Sequence, residues 1–166
     1  MGRVADYTIE KKSFWFHPLS NNFLQMCFKN ESFDIAIWTT TLKQNPKKVF
    51  KKLVSEISQD QLVFMWAASD CKLQKGHKAI DNLTEVIHTK SLKKVWEMYT
   101  QYDATNTVIV DCSLERVKEN HEENVILATP YIPKNQESNW LVNELWRMLS
   151  KINKEIDVRA TLKDFR

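Results

Sequence analysis

The chain has 166 residues, 43% of them apolar and 27% charged, with a net charge of +3. That length suits one domain with a real core, and the composition is ordinary for a soluble globular protein and favours a packed fold over disorder. Its only two glycines, Gly2 and Gly76, exclude a glycine-rich phosphate loop, so any phosphate site must use side chains and helix N-termini.

Pro18-Leu19 opens a short helix carrying Phe23, Leu24, Cys27 and Phe28. Phe33 to Trp38 reads as a buried strand whose apolar run stops at the hydroxyls of Thr39, Thr40 and Thr41. A helix over Pro46 to Ile57 follows, with Pro46 tolerated in its first turn. Leu62 to Trp66 is a second apolar run of strand length, and residues 67 to 87 are polar and irregular, an insertion or a lid. After His88-Thr89-Lys90-Ser91, the side chains of Leu92, Val95, Trp96 and Tyr99 recur at helical spacing. Thr107 to Val110 is a continuous β-branched run, expected to be buried on both faces of a parallel sheet and to end at Asp111-Cys112-Ser113. Arg116 to Glu123 is a polar helical crossing, and Val125 to Leu127 is a fourth strand ended by Pro130 and Pro133. Leu141, Leu145, Met148, Leu149 and Ile152 form the stripe of a closing helix. Alternating strands and helices imply an α/β fold with a doubly wound parallel sheet. The domain spans residues 1–153, and residues 154–166 read as a charged tail.

Three cysteines, Cys27, Cys71 and Cys112, show no C-x-x-C spacing, and four scattered histidines give no zinc signature. The odd thiol count without a secretory segment reads as an intracellular protein, of nucleus or cytoplasm before mitochondrion. No apolar run approaches the ~20 residues of a membrane span. Lys47, Lys48, Lys51 and Lys52 lie opposite Phe50, Leu53, Val54 and Ile57 on one amphipathic helix. They read as a solvated face or, less readily, as a surface for an acidic or phosphorylated partner. No aromatic residue interleaves with them, so nucleic acid is not indicated.

In an open α/β sheet, ligands bind just beyond the carboxyl ends of the strands. Thr39, Lys90 and Asp111 stand at such ends, and a hydroxyl, an ammonium and a carboxylate converging there would suit a phosphoryl group. The attacking residue is missing. Each position also has an ordinary reading: Thr39 as a helix cap, Lys90 as a surface lysine, Asp111 as a strand-end carboxylate that burial would penalise. Cys112 as a thiolate nucleophile would want an Arg five residues on with glycines between. Val117 stands there instead, so a buried or inert thiol is the better reading.

These strand ends, in this order, resemble the haloacid-dehalogenase-like phosphatases, and most closely the NLI-interacting-factor family that includes RNA polymerase II C-terminal-domain phosphatases. Ile37-Trp38-Thr39 resembles that family's second motif, in which the Thr binds phosphate. His17-Pro18 matches its usual Arg-Pro entry with His in place of Arg. Lys90-Ser91-Leu92 resembles its Lys-Asp-Leu motif, whose Lys neutralises phosphate charge. Val110-Asp111-Cys112-Ser113 is similar to its Asp-Asp-Ser or Asp-Asn-Ser metal motif, and Phe64 to Trp66 through Gly76 to Asn82 resembles plant members. The resemblance covers about residues 4 to 152.

The departures bear on activity. The family's nucleophile and its general acid belong to Asp-x-Asp-x-Thr at the end of a first central strand, and no Asp-x-Asp occurs in this sequence. Asp6-Tyr7-Thr8 is either the second half of that motif, with Val4 in the nucleophile's place, or a segment following a lost one. The resemblance places Mg²⁺ between the first motif and the residue here occupied by Cys112, a thiol ill-suited to a hard cation; Asp111 is left as a remnant metal ligand. The expectation is a degenerate phosphatase-like domain with its first central strand truncated or missing, holding no cofactor as it stands, or Mg²⁺ if active. It would bind a phosphoprotein or protein partner, as an oligomer or with a strand lent by another chain. The alternatives are a Mg²⁺-dependent phosphatase whose first motif lies outside this chain, and a scaffold like the mitochondrial inner-membrane translocase subunit of the same fold.

Overall fold

The computed structural model describes residues 7–9, 12–14, 17–40, 46–53, 59–77, 84–131 and 139–165. The fold is mixed α/β with small parallel sheets, and the chain divides into two units where the sequence shows no boundary: Met1–Ala67 with Tyr131–Asn153, and Ala68–Pro130 with Lys154–Arg166. Among the described residues no helix is long and apolar enough to cross a membrane.

In the first unit, β1 (Tyr7–Ile9) and β2 (Lys12–Phe14) form an antiparallel pair. Tyr7 and Thr8 thus sit in an antiparallel pair, while Val4 and Asp6 lie outside the described residues. Helix α1 (Ser20–Lys29) begins where Ser20 donates through its N–H and its hydroxyl to the His17 carbonyl, at 2.9 and 2.6 Å. It ends at Asn30, whose side chain accepts the Ser32 N–H and turns the chain toward the sheet. Strand β3 (Ile37–Trp38) is shorter than the expected run from Phe33, but its parallel ladder with β4 (Met65–Trp66) extends past both ends. Val63 N–H donates to Ile35, Ile37 to Phe64 and Thr39 to Trp66, all at 2.9–3.0 Å. The register puts Trp38 beside Trp66, their rings edge-on at 4.7 Å, and Phe64 stacks on Trp66 at 4.1 Å. Helix α2 (Pro46–Leu53) buries Phe50 and exposes Lys47, Lys48, Lys51 and Lys52, the pattern of a solvated basic face; the expected continuation to Ile57 lies outside the described residues. A π-helical turn, Leu141–Leu145, runs into α5 (Trp146–Ile152), and Leu145, Leu149 and Ile152 are buried.

Cys27, on α1, is 2% exposed, and burial pushes its thiol up to about 11 from 9.0. The folded state therefore keeps a proton that the unfolded chain releases above pH 9. The stability this represents is complete below pH 9 and is lost as pH rises toward 11, about 2–3 kcal/mol in all. Urea titrations of wild type and Cys27→Ala between pH 8 and pH 11 should show the difference in their pH slopes. Parallel curves would sink this assignment.

The second unit replaces the expected irregular stretch with a hairpin of β5 (Lys72–His77) and β6 (Thr84–Thr89), paired over six residues. His77 and His88 belong to its strands rather than to polar connections. Glu119 accepts from Lys72 at 3.1 Å and from Gln74, fastening the first hairpin strand. Helix α3 (Leu92–Met98) buries Leu92 and Val95. Strand β7 (Ile109–Asp111) pairs in parallel with β8 (Val125–Leu127). Ile109 and Asp111 are buried but Val110 is 39% exposed, so β7 is covered on one face and not on both as the β-branched run suggests. The polar crossing resolves into α4 (Leu114–Val117), with Val117 fully buried, and a 3₁₀ turn, Glu122–Asn124.

Residues 154–166 are not merely a charged tail. They contain α6 (Val158–Lys163), whose Val158, Thr161 and Leu162 are buried. Asp157 caps α6 by accepting the Arg159 N–H at 3.0 Å and also grips the Arg159 guanidinium at 2.7 Å. That contact holds the Asp157 carboxyl down at about 2. Val158 N–H donates to Thr105 and Lys163 pairs with Glu123, so the helix is tied to the unit around β7. Sequence charge hid it, because the three buried positions are interleaved with polar ones.

Candidate functional site

Asp111 closes β7, and the pleat of the strand turns its side chain to the face it shares with Ile109. Its Oδ2 lies 2.5 Å from Lys90 Nζ, with the two side chains 4% and 8% exposed. Its Oδ1 accepts the Ser113 N–H at 2.9 Å, the local turn that starts α4. Both carboxylate oxygens are therefore engaged. The ammonium and the carboxylate cancel within one buried contact, so charge burial is tolerated at a position where either group alone would be penalised.

Lys90 joins β6 to α3, and its backbone is held from both sides. Its N–H donates to the Arg116 carbonyl at 2.7 Å. Its own carbonyl accepts from Asn120 Nδ2 at 2.7 Å. The same Nδ2 reaches the Val117 carbonyl at 2.8 Å, and Asn120 Oδ1 accepts the Leu92 N–H at 2.7 Å. Asn120 thus ties the start of α3 to the end of α4 on either side of the ion pair. Sequence reasoning missed it, because an Asn just past a short polar helix is an ordinary stop and carries no periodic signal.

Of the expected site residues, the structure brings Lys90 and Asp111 into contact within the second unit. Thr39 belongs to the first unit, at the end of β3, where its N–H donates to the Trp66 carbonyl at 3.0 Å. The alternative of Thr39 as a helix cap depends on residues 41–45, which lie outside the described residues. Cys112, next to Asp111, is exposed, so the adjacent residues divide between surface and interior.

The family model for NLI interacting factor-like phosphatases matches residues 5–159. The chain belongs to that family. No curated protein matches it. As an NLI-interacting-factor-like phosphatase domain, it has a haloacid-dehalogenase-like relationship consistent with the parallel pairs β3–β4 and β7–β8. The match runs through α5 into α6, well past residue 153. An NLI-interacting-factor-like domain without Asp-x-Asp has a phosphatase's frame, and its buried strand-end carboxylate is already committed to a lysine.

Proposed function

We propose that this chain is a phosphatase-like domain that does not turn over substrate and binds a phosphoprotein or protein partner. The observation that carries the reading is the Lys90–Asp111 contact, in a sequence with no Asp-x-Asp. Phosphoryl transfer to an aspartate needs one carboxylate free to attack phosphorus and a second to move the proton. Asp111 is neither: one oxygen holds an ammonium and the other a backbone N–H. Thr39 and Lys90 remain the proposed phosphate contacts. An anion at Lys90 has to compete with Asp111, so binding through it is weak.

The purified chain should not hydrolyse para-nitrophenyl phosphate or a phosphoserine peptide above the buffer rate, with or without Mg²⁺. The same peptide should bind more tightly than its unphosphorylated form in a fluorescence titration. Mg²⁺-dependent turnover lost in Asp111→Ala would instead establish the enzyme reading, with a nucleophile supplied from elsewhere.

A further inference from the structure

The resemblance to metal-dependent phosphatases raises the question of which cation Asp111 is built to hold. Mg²⁺ requires near-octahedral oxygen ligands and is bound through one or two carboxylates with free lone pairs. The donor set around Asp111 does not fit that ion. Its Oδ2 is 2.5 Å from an ammonium, and its Oδ1, which accepts the Ser113 N–H, keeps at most one further lone pair. A divalent ion on Oδ2 would stand beside Lys90 Nζ with no shielding solvent, since both side chains are over nine-tenths buried. The neighbouring Cys112 would offer a soft sulfur and is exposed where Asp111 is buried. Among the described residues, no three His, Cys, Asp or Glu side chains come together in a way that could hold a metal.

What the surroundings do fit is a tethered ammonium. A buried carboxylate needs a countercharge, and Lys90 supplies one from a backbone that is fixed on both sides. The Arg116 carbonyl holds its N–H and Asn120 holds its carbonyl, each at 2.7 Å. This anchorage fixes the point from which the lysine stem starts, and its ammonium ends on Asp111. A covalently attached cation cannot be removed by a chelator and does not depend on the ion concentration of the compartment.

The geometry points to Lys90 as the resident cation of this site: its ammonium takes the place of a divalent ion on Asp111, so the domain folds and keeps its strand-end carboxylate neutralised without metal. The inference uses the same ion pair as the binding reading. Its test measures metal and stability, not turnover or peptide affinity, so either can fail alone.

The test uses the full chain and two measurements. In the first, Mn²⁺, a paramagnetic stand-in for Mg²⁺, is added to the wild-type protein while the amide signals of Cys112 and Ser113 are followed by NMR. These signals should broaden no more than those of exposed residues elsewhere. Selective broadening that disappears in Asp111→Asn would overturn the proposal. In the second, thermal unfolding is compared in EDTA and in Mg²⁺ at matched ionic strength. Wild type should unfold at the same temperature in both. Lys90→Ala should unfold at a lower temperature in EDTA and recover part of the loss in Mg²⁺, because the stranded carboxylate then accepts the ion. The recovery should vanish in Lys90→Ala/Asp111→Asn. A Mg²⁺ shift in wild type, or a Lys90→Ala chain as stable as wild type in EDTA, would overturn the assignment, as would a folded Lys90→Ala chain that Mg²⁺ does not stabilise. If Lys90→Ala does not fold in either condition, the wild-type broadening decides alone.

Discussion

Asp111→Ala should destabilise the folded chain by about 3–5 kcal/mol in urea titration. The size follows from what is left behind. The Lys90 side chain is 8% exposed and would lose its carboxylate partner at 2.5 Å, while its backbone stays held by Arg116 and Asn120. The pair itself need not be strongly favourable, because desolvating two ions offsets most of their attraction. Lys90→Met/Asp111→Leu should therefore recover most of the loss, since neither remaining side chain carries a charge. A double-mutant cycle among Asp111→Ala, Lys90→Met and their combination separates the coupling from packing. Single variants within 1 kcal/mol of wild type would mean that water reaches the pair.

The second large effect is expected at Asn124, which is 0% exposed. Its Nδ2 donates to the Ala104 carbonyl at 2.7 Å and to the Thr107 carbonyl at 2.8 Å, joining the 3₁₀ turn before β8 to the approach to β7. Asn124→Ala removes both donors at once and leaves two acceptors in the interior. At about 1–3 kcal/mol for each stranded group, the loss should be roughly 2–6 kcal/mol. Asn124 Oδ1 has no hydrogen-bond partner, which already weakens the native arrangement and places the expectation toward the lower end. Asn124→Asp should be worse than Asn124→Ala, since a carboxylate would face two carbonyl oxygens with no proton to offer. Thermal unfolding of the three proteins orders them, and an Asp variant more stable than the Ala variant would refute the assigned contacts.

How much the sequence revealed depended on the kind of signal. Val125 to Leu127 was readable to the residue, because an apolar run bounded by polar and proline positions leaves little freedom. Helices α1 and α3 lay where their stripes put them, as did α2 as far as Leu53. The β5–β6 hairpin did not, because its strands are polar on both faces, with Lys72, Gln74 and Lys75 on one strand and His88 and Thr89 on the other. Helix α6 was hidden for a related reason: three buried positions within a six-residue helix are too few for periodicity to outweigh surrounding charge. In the site, the pairing of Lys90 with Asp111 was foreshadowed by their places at the ends of neighbouring segments. Asn120 and Asn124 were illegible, because a side chain that bonds backbone carbonyls leaves no pattern in hydropathy or charge.

The Asn120 clamp also governs the order of assembly. Its bonds to Lys90 and Leu92 span 30 and 28 residues of chain. Closing a loop of that length costs roughly 3 kcal/mol of chain entropy before any contact rewards it. A single amide then completes three hydrogen bonds in one event, and the backbone bond between Lys90 and Arg116 closes beside it. Nothing is gained by docking half of this arrangement. The hairpin, α3, β7 and α4 should accordingly form and melt as one cooperative foldon, with α4 too short to persist by itself.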